Sequence, residues 1–134
     1  MRFFVQLNPA PGVGAPNGPR RFYRPVVRAG DWLICSGQLG LESGKLVAGG
    51  AAAEVTQALA NLAGFLEAEG SSLAAVAKTT VFLADIGDYP AMNEAYAAAF
   101  GDHLPARSAV AVAALPFGAL VEVEAWAWAP LPLA

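Results

Sequence analysis

Charged side chains are scarce in this chain. They make up 14% of its 134 residues, whereas a typical soluble domain carries about 25%. A domain of this size has a large surface relative to its volume, so a shortage of charge indicates that part of the surface is not exposed to water. We therefore expect an obligate oligomer, in which copies of the chain cover apolar surface on one another.

Cysteine and histidine each occur once, as Cys35 and His103. One cysteine excludes an internal disulfide framework and a cysteine-based metal site. One histidine excludes a histidine cluster for a metal, and its place before Leu104-Pro105 predicts a surface loop rather than a serine–histidine catalytic pair. We expect Cys35 to be a small core residue, and we expect no bound metal.

Long hydrophobic runs are also missing. The uncharged stretch 108–121 is interrupted by Pro116 and Gly118 and falls short of the ~18–20 apolar residues that a membrane-spanning helix needs. The N-terminal Phe3-Phe4-Val5 is too short for the apolar core of a signal peptide. These absences predict a cytoplasmic protein without a membrane partner.

Basic residues are too few and too scattered to form a groove for nucleic acid. The net charge is -3, and phosphate binding needs clustered lysine and arginine. The nearest approach to a cluster is Arg20, Arg21, Arg24 and Arg28, which we interpret as solvated side chains on a loop and a strand edge. Nucleic acid is therefore not an expected partner.

Hydrophobic periodicity and turn residues predict the elements of the fold. Residues 51–69 form the clearest helix, because four apolar residues recur along one face while Glu54 falls elsewhere; the four are Val55, Leu59, Leu62 and Leu66. A loop rich in proline and glycine spans residues 8–19. The remaining predicted elements are strands at 2–7, 23–28, 32–38 and 77–84, a short strand at 46–47, a helix at 88–100, and two strands after residue 105.

The last part of the chain, residues 105–127, is predicted to be a strand hairpin around the turn Leu115-Pro116-Phe117-Gly118. Three ionisable side chains stand out among its small apolar residues. Arg107 begins the first arm, and Glu122 and Glu124 lie two residues apart on one face of the second arm. A charge in an otherwise apolar strand needs a partner or a function, so this stretch holds the candidate site.

Helices that alternate with strand pairs predict an α+β fold. We expect one domain over residues 1–134, with a mixed β-sheet, two helices packed on one face, and the order β-β-α-β-α-β-β. The other face of the sheet would then hold many valine, alanine, tryptophan and leucine side chains without cover. This bare face is a second reason to expect association between copies.

The same C-terminal residues carry a resemblance to a known family. The run P-A-R-S-x-x-x-V-x-x-L-P-x-G-x-x-V-E-V-E-A, from Pro105 to Ala125, resembles the signature of the RidA family, also called YjgF and formerly the L-PSP endoribonuclease family. Further matches are Tyr23, Arg28-Ala29-Gly30, Ser36-Gly37-Gln38, Glu69 to Leu73, Lys78 to Leu83 and Asn93 to Tyr96. The resemblance implies a chorismate-mutase-like fold and a homotrimer with three equivalent sites in the clefts between subunits.

The resemblance also implies roles for five residues. Arg107 would hold the carboxylate of a substrate, Glu122 would position and deprotonate the hydrolytic water, and the side chains of Tyr23, Ser36 and Asn93 would line the same cleft, with Tyr23 or Ser36 steadying the charge that develops during the reaction. A guanidinium matches a carboxylate with paired donors, and a partly desolvated carboxylate is suited to take a proton from water. Three of these residues also have a structural alternative: a solvent-exposed Arg107, a surface salt bridge for Glu122, and a helix-surface amide for Asn93.

The implied activity is that of an enamine/imine deaminase, which hydrolyses 2-aminoacrylate and 2-iminobutanoate-type intermediates to 2-oxo acids and ammonia without a cofactor. Two positions depart from the family pattern. Arg24-Pro25 stands where a polar pair is common, and Ala109 stands where a cysteine is common. A non-catalytic trimer that binds small carboxylates such as 2-oxo acids therefore stays open as the alternative, whereas the acidic composition disfavours the ribonuclease activity once attached to the family.

Overall fold

The computed structural model describes residues 5–6 and 22–132 of the chain. The predicted loop at 8–19 and the side chains of Arg20 and Arg21 lie outside this part. The strands are β1 (Val5–Gln6), β2 (Val26–Ala29), β3 (Trp32–Leu39), β4 (Leu41–Glu42), β5 (Lys45–Leu46), β6 (Val76–Leu83), β7 (Ala106–Ala111) and β8 (Val121–Trp128), and the helices are α1 (Gly50–Ala68) and α2 (Tyr89–Phe100).

Six strands form one mixed sheet in the order β1-β2-β3-β8-β6-β7, and β4 and β5 form a separate small hairpin. Strand β7 runs parallel to β6, and the other neighbours in the large sheet are antiparallel. The predicted α+β class with a mixed sheet is therefore confirmed.

The predicted hairpin between the last two strands is wrong, because β6 lies between β7 and β8. Helix α2 carries the chain back across the sheet, as a parallel connection requires, so β7 adds beside β6 at the edge. Strand β8 then takes the central place between β3 and β6. Its helix-facing residues Val121, Val123, Ala125 and Ala127 are fully buried there, which is the packing that such an apolar strand needs.

The predicted apolar stripe of α1 is confirmed. Val55, Leu59, Leu62 and Leu66 are all fully buried, and they belong to one core with the helix-facing side chains of β6 and β8. Full burial of such a side chain stabilises the fold by about 1.5–3 kcal/mol. This core fixes the position of β8, and therefore of the charged residues on its other face.

Glu54 was expected to fall outside the buried stripe of α1, and it does not. Its side chain is only 4% exposed, and Oε1 accepts a hydrogen bond of 2.8 Å from the backbone N–H of Leu120. Gly40 lets the backbone of α1 lie close to the end of β3, because a Cβ at position 40 would come within 2.6 Å of the Glu54 backbone. The buried carboxylate thus ties α1 to the segment that leads into β8.

Arg28 and Cys35 are both buried, which contradicts the prediction for the first and confirms it for the second. Arg28 was expected to be solvated, but it is buried, and Nη1 donates to the carbonyls of Gly30 at 3.2 Å and Ala129 at 2.6 Å. Cys35 is buried in the core as predicted, and burial raises the pKa of its thiol to about 12. The thiol is therefore protonated at neutral pH and behaves as a small apolar group.

The face of the sheet opposite the helices carries aromatic side chains that remain partly uncovered. Trp126 and Trp128 are 45% and 47% exposed, and the ring of Trp32 contacts both edge-on, with centroids 6.2 and 5.0 Å apart. We call this surface the open face. Neither of the helices in the described part of the chain combines the length and apolar character needed to cross a membrane.

Candidate active site

A cleft of about 430 Å³ lies where β3 meets the start of β8. Three of the five residues predicted for the site line it, namely Tyr23, Ser36 and Glu122. The other lining residues are Gly37, Gln38, Leu39, Leu41, Pro116 and Phe117. The cleft therefore combines a polar end, formed by a hydroxyl and a carboxylate, with an apolar wall.

An irregularity in β3 builds the polar end of the cleft. Cys35 pairs with Ala125 and Gln38 pairs with Val123, so β3 holds one more residue than β8 over this interval. Such a bulge bends the strand and redirects its side chains. Here the redirected residues are Ser36 and Gly37.

Ser36 is held on both its backbone and its side chain. Its N–H donates to the carbonyl of Pro25 at 2.9 Å, and its hydroxyl donates to the carbonyl of Arg24 at 2.5 Å. The hydroxyl proton is therefore engaged, while the hydroxyl oxygen can still accept a hydrogen bond from a ligand. The same two bonds hold the segment that carries Tyr23, whose side chain is 69% exposed.

Gly37 is the residue that makes room for the Glu122 carboxylate. A Cβ at position 37 would lie 2.7 Å from Oε1 of Glu122 and 2.8 Å from its Cδ, which is closer than atoms can approach. Only glycine therefore allows the carboxyl group to lie against the bulge. Burial, and to a smaller extent the nearby charge of Glu124, raises the pKa of Glu122 above its ordinary value, which moves it toward the range of a general base.

Arg107 lies in a different environment, against helix α2. Nη2 donates to the hydroxyl of Tyr89 at 3.1 Å, and Nη1 lies 3.8 Å from the sulfur of Met92. The guanidinium carbon is 4.9 Å from the ring centroid of Tyr96 and 5.5 Å from that of Tyr89. Cation–π contacts of this kind orient an arginine without neutralising it, so its charge stays available to an anion.

The ring of Tyr96 is itself fixed. Its hydroxyl shares a buried hydrogen bond of 2.5 Å with Oγ1 of Thr79 on β6, and burial is the main reason that the Tyr96 pKa is raised. Asn93, on the same helix, has a buried side-chain oxygen without a hydrogen-bond partner in the described part of the chain.

The predicted site residues therefore fall into two groups. Arg107 pairs with Thr79, whereas Glu122 pairs with Phe82, three residues further along β6. Residues three apart in a strand point to opposite faces, so Arg107 lies on the helix side of the sheet and Glu122 on the open face. One chain does not bring the arginine into the Glu122 cleft.

Four residues that shape the two groups were not predicted from the sequence: Gly37, Tyr89, Met92 and Phe117. Gly37 enters the sequence prediction only as part of a motif. Tyr89, Met92 and Tyr96 are spaced three and four residues apart, and this spacing indicates that they share one face of α2. Across the residues that the structure describes, no group of three or more histidine, cysteine, aspartate or glutamate side chains is arranged to hold a metal ion.

Comparison with known proteins gives matches over most of the chain. The family model for endoribonuclease L-PSP matches residues 15–129. The 2-iminobutanoate/2-iminopropanoate deaminase of Homo sapiens is 42% identical over 127 residues, which cover 93% of this chain and 88% of the human protein. The protein of the same name from Rattus norvegicus is 48% identical over 105 residues, or 77% of each chain.

A solved structure shows the same architecture. The crystal structure of the YjgF gene product from E. coli matches with a TM-score of 0.75 and 38% identity, covering 85% of this chain and 91% of that one.

Proposed function

Because the chain belongs to the endoribonuclease L-PSP family, also called RidA or YjgF, we propose that it is an enamine/imine deaminase that converts reactive 2-imino acids to 2-oxo acids and ammonia. Relatives named for the deamination of 2-iminobutanoate and 2-iminopropanoate support this activity. The observation that carries it is the Glu122 carboxylate, which lies in a cleft against Gly37 with a raised pKa.

The reaction needs one water and no external electrons. Water oxygen adds to the carbon of the protonated imine while Glu122 takes a proton from that water, and the electron pair of the carbon–nitrogen double bond becomes the lone pair of an amine. The protonated Glu122 then gives its proton to the amine nitrogen, and the carbon–nitrogen bond breaks as ammonia leaves. The hydroxyl returns its proton to the Glu122 carboxylate as the carbonyl forms, and ammonia carries that proton away as ammonium. A carboxylate with a raised pKa suits both steps, because it must accept and release a proton near neutral pH.

The substrate's carboxylate is assigned to Arg107. A guanidinium offers two parallel donors to a carboxylate, and the aromatic contacts to Tyr89 and Tyr96 leave its charge unpaired. Within residues 22–132 no carboxylate lies at ion-pair distance from Arg107. An anionic ligand is the partner that this arrangement favours.

A complete site is proposed to form between two copies of the chain in a homotrimer. Arg107 and Glu122 lie on opposite faces of one sheet, which supports a site that takes Arg107 and Asn93 from a neighbouring copy. The half-exposed Trp126 and Trp128 on the open face and the low charge content support burial against other copies. The number three rests on the family resemblance, and light scattering should report three times 13.8 kDa.

A second candidate is a non-catalytic trimer that binds 2-oxo acids. The bond from the Ser36 hydroxyl to the Arg24 carbonyl favours it, because that proton is then not available to stabilise negative charge on a reacting atom. Both candidates share Arg107, but only the enzyme needs Glu122 to move a proton.

A cytoplasmic location and the absence of nucleic acid among the partners remain predictions from the sequence.

The deciding experiment measures the decay of 2-aminoacrylate. A serine dehydratase releases this enamine, and its disappearance is followed with and without the protein at equal dehydratase activity. The deaminase should accelerate decay at catalytic concentrations. Decay at the buffer rate, together with intact 2-oxo acid binding by calorimetry, would leave the binding protein as the function.

A further inference from the structure

Glu54 is a buried carboxylate for which the proposed reaction has no direct use. Its side chain is 4% exposed, and among the side chains that the structure describes no lysine or arginine lies at ion-pair distance from it. Burying such a group costs free energy unless hydrogen bonds are gained in return. Its Oε1 accepts the 2.8 Å hydrogen bond from the backbone N–H of Leu120. The position of Leu120 is therefore what this buried side chain fixes.

Leu120 is the last residue before β8 begins. Its carbonyl accepts a hydrogen bond of 3.0 Å from the N–H of Ala84, which follows β6, while its N–H donates to Glu54. Both backbone groups of Leu120 are thus bound, one to the neighbouring strand and one to helix α1. Glu122 follows two residues later, so the chain is fixed immediately before the residue that carries the cleft carboxylate.

Glu54 also lies against the strand on the other side of Glu122. Leu39, at the end of β3, pairs with Glu122, and Gly40 follows it. A Cβ at position 40 would lie 2.6 Å from both the Cα and the carbonyl oxygen of Glu54, so the backbones of α1 and of this segment are in close contact. One residue of α1 therefore contacts the chain beside each member of the pair formed by Leu39 and Glu122.

The turn that precedes Leu120 is strained and needs such support. Within Pro116–Gly118, Phe117 has φ 62° and ψ 11°, a left-handed conformation that bulky residues rarely adopt. A strained backbone persists where the surrounding structure holds it in place. The hydrogen bond to Glu54 holds the chain two residues after this turn, and the turn itself forms part of the wall of the Glu122 cleft.

We propose that Glu54 is a positioning residue, which holds the start of β8 beside the end of β3 so that the Glu122 carboxylate stays against Gly37. It touches no substrate and acts through Glu122. A displacement of about 1 Å at a reacting group can lower a rate a hundredfold, so a distant hydrogen bond can control turnover. The inference rests on the proposed function for its effect on turnover, but its effect on Glu122 can be measured without turnover.

The test compares Glu54→Met with Glu54→Gln. Both remove the charge at nearly constant size, but glutamine keeps a carbonyl oxygen for the N–H of Leu120 and methionine does not. A D-amino-acid oxidase supplies the imine of alanine, and semicarbazide traps whatever imine has not been hydrolysed. We expect kcat to fall about tenfold to a hundredfold in Glu54→Met and to stay within about threefold of the wild type in Glu54→Gln. KM should be nearly unchanged in both, because Arg107 is not disturbed.

Leu66→Val is the control for a general loss of stability. Leu66 is fully buried on the same helix, but it lies twelve residues after Glu54, or about 18 Å along the axis. This variant should lower the melting temperature and leave kcat unchanged well below that temperature. An equal fall in kcat in Leu66→Val and Glu54→Met would overturn the positioning role. A fall in Glu54→Gln as large as in Glu54→Met, or a raised KM at constant kcat, would overturn it as well.

An NMR titration of the Glu122 carboxyl carbon separates this inference from the proposed activity. Burial raises the pKa of Glu122 in the wild type, and a carboxylate released from its place gains water, which lowers its pKa. Since both variants lack the Glu54 charge, a lower Glu122 pKa in Glu54→Met than in Glu54→Gln reports the lost hydrogen bond alone.

The two measurements together distinguish the possible failures. A wild type that hydrolyses no imine, with the expected difference in the Glu122 pKa between the variants, would reject the deaminase and keep the positioning role of Glu54. Hydrolysis by the wild type, with equal kcat and equal Glu122 pKa in Glu54→Met and Glu54→Gln, would reject the positioning role and keep the deaminase.

Discussion

The two halves of the site are built by different means. The Glu122 cleft depends on breaks in regular structure, namely the β3 bulge, the glycine against which the carboxylate lies, and the strained turn at Phe117. The Arg107 half depends on regular structure, because a strand residue lies against three side chains of one helix face. The proposed proton-transfer group, Glu122, thus relies on backbone geometry, and the proposed anion-binding group, Arg107, relies on side-chain packing.

The strongest test of this contrast is Glu122→Gln. The substitution keeps the size of the side chain but removes the proposed proton acceptor, so turnover should fall by roughly 10²–10⁴. Affinity for 2-oxo acids should stay within a few-fold, because the amide does not disturb Arg107. Imine decay and calorimetry give the two values. A parallel loss of binding and turnover would mean that Glu122 holds the substrate rather than the water.

Arg107→Ala should affect both quantities. The carboxylate is held in the ground state and the transition state alike, so 2-oxo acid affinity and kcat/KM should each fall by about a hundredfold. Arg107→Lys is the matched control, because it keeps the charge but not the paired donors, and it should recover only part of the loss. Equal affinity of the wild type for pyruvate and its amide would contradict a carboxylate clamp.

Tyr89→Phe separates orientation from charge in the same half. The ring that lies 5.5 Å from the guanidinium is retained, while the hydroxyl that accepts the 3.1 Å hydrogen bond is lost. We expect KM to rise a few-fold, on the scale of one hydrogen bond, with kcat nearly unchanged. A fall in kcat at constant KM would assign Tyr89 to the chemistry instead of to the position of Arg107.

Glu124→Gln is the mildest of these substitutions and acts on the Glu122 half of the site. A base is active when deprotonated, so activity should fall as the pH drops through the raised pKa of Glu122. Removing the neighbouring negative charge lowers that pKa, and the acid limb of the kcat/KM profile should therefore shift to lower pH by less than about one unit. A shift to higher pH would contradict the electrostatic cause.

The parts of the fold that repeat regularly could be predicted from the sequence. The stripe of α1 and the burial of Cys35 follow from periods of 3.6 and 2. The separation of β7 from β8 by β6 could not be predicted, because a turn sequence between two apolar strands does not reveal that a third strand lies between them. Glu54 was missed because a buried carboxylate is explained only by its distant partner, the N–H of Leu120.

The site was predictable in its residue types and not in its geometry. Arg107 and Glu122 stand out as charges in apolar strands, and the family motif links them. Their placement on opposite faces depends on the register of β6 with both neighbours, which the sequence does not encode locally. The role of Gly37 in making room for the Glu122 carboxylate likewise could not be predicted. It depends on the bulge in β3, which places position 37 so close to Glu122 on β8 that a Cβ would collide with the carboxylate.

The division of the two charges between opposite faces makes genetic complementation possible. If each site takes Glu122 from one copy and Arg107 from the next, Glu122→Gln and Arg107→Ala homotrimers each keep about a hundredth of the wild-type activity or less, yet mixed trimers regain sites in which both contributing halves are intact. Random reassembly of equal amounts should restore about one quarter of the wild-type activity, from the symmetry of a closed ring. Two defective proteins would thus produce a working enzyme when they are unfolded and refolded together.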